Sequence, residues 1–257
     1  MSDSSAVLWP EGVARHVLDR VDSTNAEALR LAAHLAGPAW IMARHQQSGR
    51  GRRGRAWCDP PGNFAATLLM RPQGDPADAA RLSFVAALAV HEALLRLCGP
   101  SLNLSLKWPN DVLLNGGKLS GILLESAGSG ATVSALAIGI GINLAAAPDG
   151  DGIEARATRP VSLKGETGVT VTADEMLDAL ALSFDQWLRQ MRDFGFGPIR
   201  AAWLSRAARL AETITARTGN TTLTGRFDGI DETGALLLTT AQGRQAIPAA
   251  DIYFGGH

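Results

Sequence analysis

Cysteine is almost missing from this 257-residue chain: Cys58 and Cys98 are the only two, with no Cys-x-x-Cys spacing. That speaks against a disulfide framework and a thiolate zinc site. The five histidines, His16, His34, His45, His91 and His257, form no cluster at metal-ligand spacing. A surplus of one charge sign is also lacking, since 24 Lys and Arg face 25 Asp and Glu, for a net charge of −1. The surface as a whole is therefore no trap for polyanions, and any basic site must be local. The N-terminus, Met-Ser-Asp-Ser-Ser, has no basic segment leading into an apolar one, and no apolar stretch is long enough to span a bilayer. These absences predict a cytoplasmic, soluble protein without membrane contacts. The GxxxxGK[ST] pattern is absent, which excludes a P-loop NTPase by motif, and Gly139-Ile140-Gly141 lacks the GxGxxG spacing of a dinucleotide fold.

What is present suffices for a full core: hydrophobic residues make up 46% of the chain, a length that fits one large domain with a small appendage. Thr24 to Glu27 has capping-box spacing ahead of Leu29, Ala32, Ala33 and Ala36, so a helix is expected to begin near Thr24. Helical periodicity returns over Ala77–Leu97, stopped by Gly99 and Pro100. It returns again after the Thr172–Glu175 capping box, where Met176, Leu180, Phe184, Trp187 and Met191 form one apolar stripe, and a shorter helix is expected from Pro198 to about Arg206. Strands are expected at Trp40–Ala43, Asn63–Met70, Leu102–Lys107, Lys118–Glu125 and Ser134–Asn143, with Asn115-Gly116-Gly117 as a hairpin turn and Ala145–Arg159 as an irregular surface loop. From about Ala208 the pattern changes to short β-prone runs, Thr213–Thr218, Thr221–Phe227, Ala235–Thr240 and Arg244–Ile247, separated by turn signals such as Gly219-Asn220. The expected fold is α+β, a mixed central sheet with packed helices in residues 1–207 and a small β-barrel in residues 208–257.

The densest chemical signal is the run Arg44 to Trp57, in which Arg50, Arg52, Arg53 and Arg55 alternate with Gly49, Gly51 and Gly54. Flexible backbone between guanidinium groups suits the wrapping of anionic oxygens. A solvated basic loop or an RGG-like tail has the same composition. The position of this run between apolar strand patterns favours a nucleotide pocket, with Trp57 either a stacking plate for adenine or a core residue. A second cluster, Lys107-Trp108-Pro109-Asn110-Asp111, is followed through the hairpin by Lys118–Glu125, which brings two ammonium groups and a carboxylate toward one place. In the third, Ala137–Asn143, strand alternation puts Gly139 and Gly141 on one face, where a flat ligand or a close-packed helix would fit.

Asp22-Ser23-Thr24-Asn25, Gln46–Arg55 with Trp57, Lys107–Asp111, Lys118–Glu125 and Gly139–Asn143 together resemble the successive motifs of the biotin protein ligase family. The β-rich tail resembles that family's SH3-like C-terminal domain. The resemblance implies that Ser23, Thr24, Asn25 and Gln46 surround the biotin head group, whose ureido ring offers donors and an acceptor. It implies that Arg50, Gly51 and Arg52 contact biotin and the adenylate, that Lys118 lies at the biotin carboxylate and α-phosphate, and that Gly139 and Gly141 form a wall. Trp57 and Asn143 correspond to positions near adenine and ribose, and Lys107, Asn110 and Asp111 to the central motif. Arg52, Lys118 and Asp111 are the catalytic candidates, with Asp111 either a base or a magnesium ligand. ATP and Mg2+ are the implied cofactors, biotin the substrate, and a biotin carboxyl carrier protein or domain the partner, with monomer or homodimer left open. Many members carry an N-terminal winged helix. Here the first motif begins at residue 22, so the expectation is a ligase without DNA binding. A lipoate ligase and an RNA-binding module are the competing readings.

Overall fold

The computed structural model describes residues 9–72, 76–129, 132–148, 158–219 and 221–254. Its centre is a seven-stranded sheet built from β1 (Ala14–Leu18), then, after helix α1 (Thr24–Leu31), β2 (Ala39–Ala43). A small hairpin follows, β3 (Gly49–Arg50) and β4 (Ala56–Trp57), and then β5 (Phe64–Met70), the long helix α2 (Pro76–Cys98), β6 (Leu104–Lys107), β7 (Asp111–Leu114), β8 (Gly117–Ser129) and β9 (Thr132–Ile142). The strand order is β1-β2-β5-β9-β8-β7-β6; β1 and β2 run parallel and all other neighbours antiparallel. The β7–β8 turn has positive φ at Asn115 (51°) and Gly116 (77°), the two-residue type I′ geometry that matches strand twist.

Alternation divides this sheet into two unequal faces. Trp40, Met42, Phe64, Ala66, Leu68, Leu136, Ile138, Ile140 and Ile142 point into the main core beneath α2 and α4 (Ala173–Phe194). On α4 the expected stripe is present, with Met176, Leu180 and Phe184 buried and Trp187 and Met191 packed beside them; the Thr172–Glu175 capping box closes in both directions. The opposite face carries a second, smaller cluster in which Ala28 of α1 packs on Ala39, Ile41, Leu69, Ala135 and Ala137. Helix α1, two turns long, covers only one end of that face. The rest of it, Ala65, Gly139 and Gly141, becomes the floor of a cavity.

After the short helices α3 (Leu163–Thr167) and α5 (Phe196–Leu204), β10 (Thr213–Thr218), β11 (Thr221–Ile230), β12 (Leu236–Thr240), β13 (Gly243–Ile247) and β14 (Asp251–Phe254) form an antiparallel sheet of order β13-β12-β11-β10-β14. The expected barrel is corrected here: β13 and β14 are the two edges and do not pair, so the five-stranded sheet of this SH3-like domain stays open. Its apolar face needs no second wall of its own, because Ile214, Ala216, Phe227, Ile230, Leu236 and Leu238 join the same cluster as Phe84, Trp108 and Trp203. Gly234 lies against the Phe84 ring, and its carbonyl accepts from Trp108 Nε1 at 3.0 Å. The Thr24–Glu27 capping box does not form. Ser23, one residue earlier, caps α1 by accepting from the Ala26 N–H, while Thr24 and Glu27 are drawn to Gln46 and Arg30. Residues 149–157 of the expected loop, and Asn220, lie outside the described residues.

Candidate active site

The cavity above the glycine floor encloses about 190 Å3. Four pieces of chain supply most of its wall, with Gln46 and Thr158 added from two loops. The N-terminus of α1 supplies Ser23, Thr24 and Asn25; the β3–β4 hairpin supplies Arg50, Gly51, Arg52, Arg55 and Trp57; the β6–β8 segment supplies Lys107, Asn110, Asp111 and Lys118; and β14 contributes Asp251 and Tyr253. The arginine run is thus a short hairpin, with Gly49 paired to Trp57 and Arg50 to Ala56 around a 3-10 turn at Arg52–Gly54. Strand β4 delivers Trp57 onto the floor, where Cβ atoms added at Gly141 and Gly121 would lie 2.5 Å from its Nε1 and 3.0 Å from its Cζ3. Both glycines are empty so that the indole can lie flat. Gly139 performs the same service for the Asn25 carboxamide.

One end of the cavity is neutral and closely hydrogen-bonded. Gln46 Oε1 accepts from the Thr24 N–H at 2.8 Å and from its hydroxyl at 3.1 Å, and the Gln46 N–H donates to Asp59 Oδ2 at 2.9 Å. Burial pushes the Asp59 carboxyl up from the usual aspartate range. Thr67, fully buried on β5, places its hydroxyl 2.9 Å from Thr24 Oγ1 and 2.7 Å from Asn25 Oδ1. The Asn25 amide donates to Leu123 O at 3.2 Å and to Glu125 Oε2 at 2.8 Å. Thr24, Asn25, Gln46 and Thr67 hold one another in place, while Asp59 Oδ1 stays without a donor, so the pocket is preorganised for a neutral ligand with donors and acceptors.

The other end is cationic. Arg50, Arg52, Arg55, Lys107 and Lys118 line it against two carboxylates, Asp111 and Asp251. Lys118 Nζ stands 2.7 Å from Asp111 Oδ1, an ion pair made off the hydrogen-bonding direction, so that this oxygen has a charge partner but no donor. The ammonium also lies 5.8 Å from the Trp57 ring centre. Lys107 is buried, donates to Thr158 Oγ1 at 2.7 Å and stands 4.9 Å over the Phe254 ring. Burial lowers the pKa of Lys107 and of Arg52, opposed in both by Asp111. Arg52 reaches only long contacts, 3.4 Å to Asn110 Oδ1 and to Ala250 O, whereas Arg53 and Arg55 both bond Asp251. Asn110 Nδ2 donates to Ile122 O at 2.6 Å, tying the β7 end to the floor strand.

Of the residues to which the sequence gives a catalytic or binding role, all line this cavity except Asn143. That asparagine is buried beneath it, donating to Val161 O at 3.0 Å and lying 3.5 Å from Asn63 Nδ2, and so braces the chain behind the floor. Thr67, Thr158 and Asp251 line or support the cavity from outside every sequence motif, and Gly121, inside the Lys118–Glu125 motif, was given no role of its own. Gly121 was findable, because it stands opposite Gly141 in the β8–β9 register.

An α+β scaffold thus sets a neutral polar pocket beside a cluster of cations, roofed by a glycine–arginine hairpin and a C-terminal β sheet, an arrangement suited to a ligand with a neutral polar head and an anionic end. The Biotin/lipoate A/B protein ligase family model matches residues 17–143, and the Biotin protein ligase C terminal domain matches residues 212–255. The chain is 60% identical over 240 residues, 93% of its own length and 100% of the relative's, to Biotin--[acetyl-CoA-carboxylase] ligase of Paracoccus denitrificans. It is 34% identical over 254 residues, 96% of itself and 77% of the relative, to the Bifunctional ligase/repressor BirA of Bacillus subtilis. Among solved structures it is similar to the biotin protein ligase from Aquifex aeolicus in complex with biotin and ATP, with a TM-score of 0.76 and 28% identity, covering 93% of this chain and 97% of that one. The chain belongs to the biotin protein ligase family.

Proposed function

We propose that this chain activates biotin with ATP as biotinyl-5'-AMP and transfers the biotinyl group to a lysine of a biotin carboxyl carrier protein or domain. The observation that carries this reading is the union of a neutral hydrogen-bonded pocket with the five-cation cluster over one glycine floor. Ser23, Thr24, Asn25 and Gln46 suit a ureido ring, with Thr67 holding two of them in place. Arg50, Gly51, Arg52 and Lys118 suit the region where a carboxylate meets the α-phosphate, and Trp57 offers its indole to the adenine. Asn143 keeps a bracing role only.

Biotin's carboxylate is ionised at neutral pH, so its attack on the α-phosphorus, which expels pyrophosphate, needs charge compensation more than a base. Lys118 provides this by turning from Asp111 toward the phosphate, and Arg52, held only by long contacts, is free to follow. The described residues contain no cluster of three or more metal-ligating side chains. Asp111, whose Oδ1 lacks a donor, fits a magnesium ion held mostly by phosphates, which supplies further neutralisation of the pyrophosphate when bound. In the second step the acceptor amine attacks the mixed anhydride carbonyl, forms the amide and releases AMP. Once Lys118 has turned away, Asp111 is available to orient the amine and take its proton. In this reading residues 1–207 form the catalytic domain and 208–257 the C-terminal one, and the enzyme works in the cytoplasm, where ATP is supplied. Arg53 and Arg55 are occupied by Asp251, which argues against a freely displayed RNA-binding loop.

The test is exchange of labelled pyrophosphate into ATP, which isolates the first step without an acceptor. Exchange that depends on biotin and is not supported by lipoate confirms the reading. Exchange with lipoate alone, or none with either, overturns it.

A further inference from the structure

Glu125 has no part in the chemistry above and does not line the cavity. It sits within β8 in step with Gly121 and Leu123, just beyond the glycine floor and opposite Ala137. Its Oε2 accepts from Asn25 Nδ2 at 2.8 Å and from Arg50 Nη2 at 3.1 Å. One oxygen therefore joins the neutral pocket to the arginine hairpin. A carboxylate here weakens the positive field that holds phosphate, so anion binding does not explain it. Geometry does: Asn25, braced by Thr67 on its oxygen and by Leu123 and Glu125 on its nitrogen, has one orientation of its carboxamide against Gly139. Arg50 is fastened at the near end of the hairpin, as Arg53 and Arg55 are fastened by Asp251 at the far end.

We propose that Glu125 is a positioning residue of the biotin-activating reaction, orienting Asn25 in the head-group pocket and fastening Arg50 so that the hairpin stays shut over the adenylate. The proposal rests on the biotin-ligase reading, and its test separates the two. Glu125→Gln keeps a carbonyl acceptor for Asn25 and removes the charge that holds Arg50; Glu125→Ala removes both. Biotin affinity, measured by calorimetry on the full chain, should stay within about twofold of wild type in Glu125→Gln and weaken about tenfold in Glu125→Ala, the scale of one hydrogen bond to a charged group. Release of preformed biotinyl-adenylate should quicken about tenfold in both. Unchanged release in Glu125→Gln overturns the proposal, as does biotin affinity that is unchanged in Glu125→Ala or falls equally in both variants. If Glu125→Ala does not fold, release and affinity in Glu125→Gln decide by the same limits. Failure of the wild type to bind biotin overturns the underlying reading instead, whatever the variants do.

Discussion

A methyl group at Gly141 has nowhere to go, because it would stand 2.5 Å from Trp57 Nε1 and 2.6 Å from Cζ2. Gly141→Ala should therefore expel the indole from the floor, and the apparent KM for ATP in pyrophosphate exchange should rise about tenfold or more while circular dichroism stays native. Unchanged nucleotide dependence would show that Trp57 is no plate for the base. Lys118→Ala removes the ammonium that is to meet two anionic groups, and exchange at saturating biotin and ATP should fall by about 100-fold or more, the loss typical of one transition-state donor. It also strands Asp111, so some loss of thermal stability should accompany it. Wild-type exchange would remove Lys118 from the mechanism. At this scale the sequence was legible wherever a residue announces its chemistry, as Lys118 and the arginines do. It was illegible at Thr67, a lone hydroxyl in an otherwise apolar strand, whose importance comes only from the register that sets it beside Thr24 and Asn25.

The β3–β4 hairpin holds Arg52 by contacts of 3.4 Å alone, so Arg52→Gly should cost little stability and act on retention. The variant should release biotinyl-adenylate faster and label an unrelated bystander protein with biotin more than wild type does, since an ordered cover is what protects such an anhydride. Equal release and equal labelling would deny the hairpin this role. Helix α2 offers a pH prediction. His91 is buried with Nδ1 unpartnered, and burial, aided by the nearby Arg206 charge, lowers its pKa to about 4 from 6.5. Folding thus favours the neutral ring: the contribution is complete above pH 6.5 and is lost as pH falls toward 4, on the order of 3 kcal/mol in all. His91→Leu should flatten the dependence of denaturation midpoint on pH across that window, and an unaltered slope would exclude His91 as its source. Long periodic elements such as α2 and α4 were readable from the sequence. The four-residue β14 was not, being too short to show a period, and Asp251 went unnoticed with it.

At the level of the whole molecule, the change of pattern near Ala208 suggested a separable β unit, yet the core does not break there. Leu106 of β6 exchanges backbone hydrogen bonds with Arg206 and Ala208 across the boundary, and Phe84, Trp108 and Trp203 share one apolar cluster with the C-terminal strands. Sequence periodicity reports which face of an element is apolar, and is silent about which distant element covers it. Truncation after Ala207 should therefore expose that face and lower the melting temperature or cause aggregation, which makes it a poor probe of catalysis. Asp251→Asn is the sharper one: it keeps the packing but releases Arg53 and Arg55, and adenylate should escape faster with pyrophosphate exchange less affected. Escape at the wild-type rate would leave the C-terminal sheet a structural cover only.

The glycine floor also sets how this enzyme could evade an inhibitor. A compound bound over this floor packs on Trp57 and Asn25, whose own seats at Gly121, Gly139 and Gly141 are main chain that substitution cannot delete, and any replacement there adds atoms where those side chains already lie. Resistance by changing the contact surface would close the site to its own substrate as well, so escape variants should gather in the hairpin and in β14, where the roof can loosen while the floor stays unaltered.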